Sequence, residues 1–306
     1  SGYDLISARE EAMSLAASQY LDAVHNQEYL KVTEADIIRN TRLLQLAQDK
    51  KKAGTGTELD VMRAEVEMIN AQENMEAAKS EVMDSRLKLI NTLGLDLNAE
   101  ITLEQELYLE PITPMDFKDA LTLALKRRPD LIQQLQRELV AFRHKGAAVA
   151  RLLPVMEASG NYGSSGEDID EATEVWSATV EVSVPIWDSF KNHGNIKQYK
   201  SKLSQEKIRT LKLKRSIETE IRVGMEKVKS KQNQINIAKE SLKLHEGELR
   251  FINENYKVGT ATITQVIEVQ ARVSDAEFQV VQKLYEHSVH RVNWFKALGD
   301  IIEAAE

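Results

Sequence analysis

The side chains that most readily do chemistry are sparse in this chain. Its 306 residues include 6 His and no Cys, which excludes a disulfide framework, thiol catalysis and cysteine–metal centres. His287 and His290 stand three residues apart. On a helix that spacing puts both rings on one face, where a third ligand would complete a metal site and where, without one, they are ordinary seam or surface residues. The acidic run Glu167, Asp168, Asp170 and Glu171 offers weak divalent-cation binding, but its spacing does not fit an EF-hand. Lysines and arginines at 197, 200, 202, 207, 209, 212, 214 and 215 cluster in a chain whose formal net charge is −8. They read either as a solvated helix face or as a contact for anionic lipid headgroups. No Gly-rich phosphate loop, His-Glu-x-x-His or serine elbow is present. With no convergent reactive set, an enzyme ranks last, no cofactor or metal is called for, and the acidic balance argues against nucleic acid as a partner.

The elements that would carry these residues follow from the breakers. Only 13 Gly and 5 Pro occur, and residues 3–53, 57–93 and 260–298 contain neither. Sandwiches, barrels and doubly wound α/β folds need many tight turns and are excluded. The pattern predicts long helices over residues 3–52, 189–257 and 263–298 and another that follows Gly56, holds Asp60 in its first turns and runs to about Leu93, with short ones at 115–128 and 130–150 and an irregular stretch at 95–114 containing Pro111 and Pro114. At 1.5 Å per residue the 189–257 helix would be roughly 100 Å long. No apolar run reaches the ~18 residues of a membrane-spanning helix, and no signal peptide opens the chain.

Two of these helical pairs are copies. Aligning Gly54 with Gly259 places Val61 on Val266, Ala71 on Ala276 and Leu93-Gly94 on Leu298-Gly299 without a gap, an internal duplication of an αα-hairpin. Ile221, Val228, Ile235, Leu242, Leu249 and Tyr256 recur every seventh residue, matched in the first copy by Ala16, Ala23, Leu30, Ile37, Leu44 and then Lys51. In the descending helix Val61, Ala64, Met68, Ala71, Met75, Ala78 and Val82 alternate by three and four. This is a coiled-coil seam whose small residues admit close approach.

The remaining breakers concentrate between Pro154 and Gly194, where the period changes to two. Trp176, Ala178, Val180, Val182, Val184 and Ile186 alternate with Ser177, Thr179, Glu181 and Ser183, the length and dyad pattern of a transmembrane β-strand. Its partner over 152–162 is weaker, with Leu153 and Val155, or Met156 and Ala158, as its apolar set and Tyr162 near the end. Trp176, Tyr162 and Trp187 would suit membrane interfaces. The same pattern also fits a β-hairpin that packs its apolar face on helices.

The order of these features resembles the TolC-like outer-membrane efflux proteins. Ala53-Gly54-Thr55-Gly56-Thr57-Glu58-Leu59-Asp60-Val61 and Tyr256-Lys257-Val258-Gly259-Thr260-Ala261-Thr262-Ile263-Thr264-Gln265-Val266 look like that family's periplasmic hairpin turns. Phe117-Lys118-Asp119-Ala120-Leu121 through Arg128-Pro129-Asp130-Leu131 looks like the opening of its second repeat. Leu152-Leu153-Pro154 and Val184-Pro185-Ile186-Trp187-Asp188 look like the ends of its second strand pair.

The resemblance implies a mainly α fold of two tandem coiled-coil hairpins, with one β-hairpin entering a transmembrane β-barrel, assembled as a trimeric α-barrel. It divides the chain into a first hairpin (1–94), a connector with equatorial helices (95–151), a barrel strand pair (152–187) and a second hairpin (188–306). It implies a passive exit duct in the outer membrane of a Gram-negative bacterium, projecting into the periplasm. Its partners would be an adaptor gripping the tips at Gly54, Thr55, Gly56, Val258, Gly259, Thr260 and Ala261, an inner-membrane pump, and lipid facing Trp176, Val180, Val182 and Val184. The family's gate latch falls on Tyr256 and Asp60. Its arginine position falls on Ala261, and its acidic ring on Gln265 and Glu268. Ser1 aligns with residue 206, so first-repeat counterparts of about 115–205 are missing and the chain reads as a truncation; two strands from each of three copies would give six, below the usual barrel minimum of eight. The rival readings are a periplasmic coiled-coil adaptor, which would flank one hairpin with β-rich segments, and a helical scaffold without a pore.

Overall fold

The computed structural model describes residues 2–99, 101–103, 107, 115–165, 173–184, 186 and 189–299. The element order is α1 (Gly2–Lys52), α2 (Glu58–Leu93), α3 (Phe117–Arg127), α4 (Pro129–Ala150), β1 (Val155–Ser165), β2 (Thr173–Ser183), α5 (Lys191–Val258) and α6 (Ile263–Leu298). Trp187, Pro185, Asp188, Pro111, Pro114 and the acidic loop Glu167–Glu171 lie outside the described residues. No described helix is long and apolar enough to cross a membrane. The chain forms two compact units, one of residues 1–128 with 217–306 and one of residues 129–216.

In the first unit the two predicted hairpins are present. Gly54 and Gly259 turn the tips at φ 74° and 87°, and Gly94 and Gly299 close the return helices at φ 67° and 76°. These are left-handed conformations that glycine adopts without a Cβ penalty. The α2 seam buries Val61, Ala64, Ala71, Ala78 and Val82, with Met68 and Met75 half-buried between them. Along α5, Ile217, Ile221, Val228 and Ile235 are buried, and Gly224 lets the Trp294 ring approach so closely that an added Cβ would lie 2.8 Å from its edge.

The seam of α1 departs from the expected heptad. Leu30, Ile37 and Leu44 are only half-buried, whereas Thr33, Asn40, Leu43 and Ala47 are buried. The reason is that α1 packs against both α2 and α6. Its contact surface is therefore two adjacent stripes rather than one, and the most enclosed positions fall between the partners.

In the second unit β1 and β2 pair antiparallel from Val155↔Ser183 to Ser165↔Thr173. Met156↔Val182, Ala158↔Val180, Gly160↔Ala178 and Tyr162↔Trp176 lie on one face, and Glu157↔Glu181, Ser159↔Thr179 and Asn161↔Ser177 on the other. Of the two apolar sets available to the first strand, the one containing Met156 and Ala158 is therefore used. The second strand runs three residues earlier than expected, so Val184, assigned to its membrane face, lies beyond the ladder. Pro154 stands where Val184 would need a partner, and it has no N–H to continue the pairing. The apolar face is uncovered, with Met156 and Trp176 each 74% exposed and Val180 70%. The packing of that face on helices is thus not adopted.

Candidate functional site

The tips of the two hairpins bring most of the singled-out residues together. Their backbone hydrogen bonds are the same, residue for residue. Gly54 N–H donates to Lys51 O at 3.0 Å, and Thr55 and Gly56 N–H donate to Lys50 O at 2.9 and 3.0 Å. In the second copy Gly259 N–H donates to Tyr256 O at 3.2 Å, and Thr260 and Ala261 N–H donate to Asn255 O at 2.9 and 3.2 Å. Both return helices open with a capping box, in which a threonine side chain and the third helical residue satisfy each other's backbone donors. Asp60 N–H donates to Thr57 Oγ1 at 3.1 Å while Thr57 N–H donates to Asp60 Oδ2 at 3.0 Å. Gln265 N–H donates to Thr262 Oγ1 at 3.3 Å while Thr262 N–H donates to Gln265 Oε1 at 2.9 Å. Neither box is among the features expected from the sequence, although the Thr-x-x-Asp and Thr-x-x-Gln spacings display them.

Beneath the tips the two copies share one apolar cluster of Leu43, Ala47, Val61, Ala64, Tyr256, Ile263 and Val266, with Ala261 packed at its edge. Tyr256 is buried, and its hydroxyl finds no hydrogen-bond partner among the described residues. The expected Tyr256–Asp60 hydrogen bond is therefore not made within one chain; Asp60 Oδ2 accepts from Thr57 N–H and Thr57 Oγ1 instead. Burial, and then the charge of the nearby Asp60 carboxylate, push the Tyr256 phenol above its ordinary pKa.

Lys50 ties the copies together. Its ammonium donates to Tyr256 O at 2.5 Å and Lys257 O at 3.3 Å, and it lies 4.7 Å from the centre of the Tyr256 ring. A cation from α1 thus caps the carbonyl end of α5, where the helix dipole favours positive charge. Arg63 Nη1 donates to Thr264 Oγ1 at 2.7 Å. Further along, Arg39 holds Glu277 with two bonds of 2.9 and 2.8 Å, and Ser274 donates to Asp36 at 2.8 Å. Tyr285 donates to Asp22 at 2.5 Å, and burial together with that carboxylate pushes its phenol up to about 12. These long-range links carry no periodic signal in the sequence.

Glu268, one turn beyond Gln265, is exposed and makes no hydrogen bond or ion pair among the described residues. Gly54, Thr55, Val258, Gly259 and Thr260 are exposed at the tips, and Gly56 and Ala261 half-exposed. Trp176, Val180 and Val182 share the uncovered sheet face in the other unit. His287 is buried and His290 half-buried on α6, and among the described residues no group of three or more His, Cys, Asp or Glu side chains could hold a metal ion.

Comparison with known proteins agrees with this architecture. A family described as "Outer membrane efflux protein" matches residues 120–300. The solvent efflux pump outer membrane protein SrpC of Pseudomonas putida is 21% identical over 281 residues, covering 90% of this chain and 59% of the relative. The chain therefore spans about three-fifths of the length of the curated relatives it matches. The outer membrane protein VceC of Vibrio cholerae superposes with a TM-score of 0.84 at 15% identity, over 98% of this chain and 72% of that one. The open-state outer membrane channel MtrE of Neisseria gonorrhoeae superposes with a TM-score of 0.84 at 15% identity, over 99% of this chain and 69% of that one.

Proposed function

The chain belongs to the outer membrane efflux protein family, a family of transport channels, and from that premise we propose that it forms part of a passive exit duct. Three copies surround a water-filled periplasmic tunnel with residues 1–94 and 188–306. Residues 95–151 form the equatorial connector, and 152–187 supply strands to a barrel in the outer membrane of a Gram-negative bacterium. An inner-membrane pump supplies the energy and selects the cargo, small molecules or proteins. An adaptor holds the tips at Gly54–Gly56 and Val258–Ala261. The duct carries out no catalytic step.

The observation that carries this reading is a duplicated helical hairpin joined to a two-stranded sheet with one face uncovered and apolar from Met156↔Val182 to Tyr162↔Trp176. Two strands alone are marginally stable in water. Strands of eleven residues with one apolar face match the thickness of a bilayer once further strands close a barrel. The gate lies at the tips, where Tyr256, Asp60, Gln265 and Glu268 gather. Tyr256 and the two capping boxes fix the ends of the helices, and Glu268 faces the tunnel as a ring of carboxylates that attracts cations.

Light scattering of the full-length protein in detergent, followed by planar-bilayer recording, tests the reading. A trimer with stepwise conductance is expected. A monomer or dimer that conducts nothing would contradict it.

A further inference from the structure

The second unit carries a charge asymmetry that a duct does not require. Segments 137–151 and 189–215 hold 13 basic and 2 acidic side chains in a chain whose net charge is −8. The last β-pair, Val155↔Ser183, sends both strands out at the same end of the sheet, toward the C-terminus of α4 and the N-terminus of α5. The two helices run side by side there, with the His144 and Tyr199 rings stacked 5.9 Å apart. Arg151, Lys191 and Lys197 are exposed at this foot and have no acidic partner among the described residues.

Apolar side chains share the same place. Leu152 and Leu153 are exposed, Phe190 is 70% exposed and Ile186 93%. Ser189 and Phe190 both hold positive φ, 53° and 63°, a conformation that non-glycine residues adopt only at an energetic cost. The turn they form leaves most of the Phe190 ring exposed. A solvated helix face would have no use for exposed apolar groups next to cations that lack an acidic partner among the described residues. A bilayer surface uses both, the apolar groups at the acyl boundary and the cations at the headgroups.

The geometry points to an anionic-phospholipid contact at the foot of the sheet, made by Arg151, Lys191 and Lys197 around Phe190 and Ile186. It rests on the reading of the sheet as membrane-spanning, and its occupant is the leaflet that meets the base of the strands. Electrostatic reach limits it. Lys212 and Lys214 lie roughly 22–26 Å beyond Lys197 along α5 at 1.5 Å per residue, well beyond a screening length of about 8 Å. Only the first turns of the cluster therefore take part.

The test uses the full-length protein purified in neutral detergent, mixed with equal amounts of phosphatidylglycerol and phosphatidylcholine, with retained lipid read by native mass spectrometry. Preferential retention of phosphatidylglycerol is expected. The triple variant Arg151→Gln/Lys191→Gln/Lys197→Gln should reduce that preference at least tenfold, at roughly fivefold per charge. Lys212→Gln/Lys214→Gln should leave it unchanged, and Phe190→Ser should weaken retention of both lipids alike. Equal retention of the two lipids by the wild type, or an unchanged preference in the triple variant, would overturn the inference and assign the patch to another partner or to solvent. Conductance in phosphatidylcholine bilayers separates the two readings. If the duct reading fails, neither protein conducts; if only the lipid contact fails, the wild type conducts but shows no lipid preference.

Discussion

The two hairpin tips have one backbone and two chemistries. Their turns match hydrogen bond for hydrogen bond, and both return helices start with a capping box. Where the first tip has Lys51, Glu58 and Arg63, however, the second has Tyr256, Ile263 and Glu268. Lys51 and Glu58 form an exposed ion pair at the first tip. Their counterparts Tyr256 and Ile263 are buried in the cluster shared by both copies. Duplication fixed the turn, and divergence then made one tip a solvated end and the other an anchor. Lys51, which breaks the heptad of the first copy, is the sequence trace of that divergence.

Exchanging the diverged residues tests this contrast most severely. Ile263→Glu places an unpaired charge in the shared cluster and should destabilise the tip by about 3–5 kcal/mol. The reciprocal Glu58→Ile should stay within about 0.5 kcal/mol, because an exposed ion pair is worth little. Hydrogen exchange of amides 255–266 and 50–61 reads both. Equal effects would erase the distinction between the tips.

Lys50→Met removes the cation that caps α5 and should cost about 1–2 kcal/mol, with faster exchange at 256–261 and little change within 54–57. The shared feature should behave alike in both copies. Thr57→Ala and Thr262→Ala are each expected to cost about 1 kcal/mol by thermal denaturation, and a twofold disparity would show that the boxes are not equivalent.

The smallest expected effect is alkaline. The folded pKa of Tyr256 is raised above its unfolded value by burial and then by Asp60. Its contribution is therefore fully present below about pH 10 and is lost as pH rises through the folded pKa. Tyr256→Phe should remove that part of the alkaline destabilisation, read as the difference between the pH–stability curves of the two proteins above pH 10.

Helix ends were legible in the sequence because glycine marks them, and α2 and α6 end where Leu93-Gly94 and Leu298-Gly299 predicted. The sheet was legible in kind but not in register. The apolar alternation runs on through Val184 and Ile186, while the ladder ends at Ser183 for want of an N–H on Pro154. The α1 stripe shifted because a heptad describes one partner and α1 has two. At the tips, Gly54, Gly259 and Asp60 stood out in sequence. The grip of Lys50 on Tyr256 O did not, since Lys50, Lys51 and Lys52 look alike until the second copy is packed against the first.

The residue pair Arg63 and Glu268 offers the most direct test of the tips as a tunnel entrance, since the duplication aligns them while only Arg63 is tied down, by its bond to Thr264. The measurement is the reversal potential of the full-length protein in a KCl gradient across a planar bilayer, for the wild type, Glu268→Ala and Arg63→Ala. Reduced cation preference in Glu268→Ala with unchanged unitary steps is expected, alongside a smaller shift in Arg63→Ala. Identical selectivity in all three proteins would contradict a carboxylate ring at the entrance.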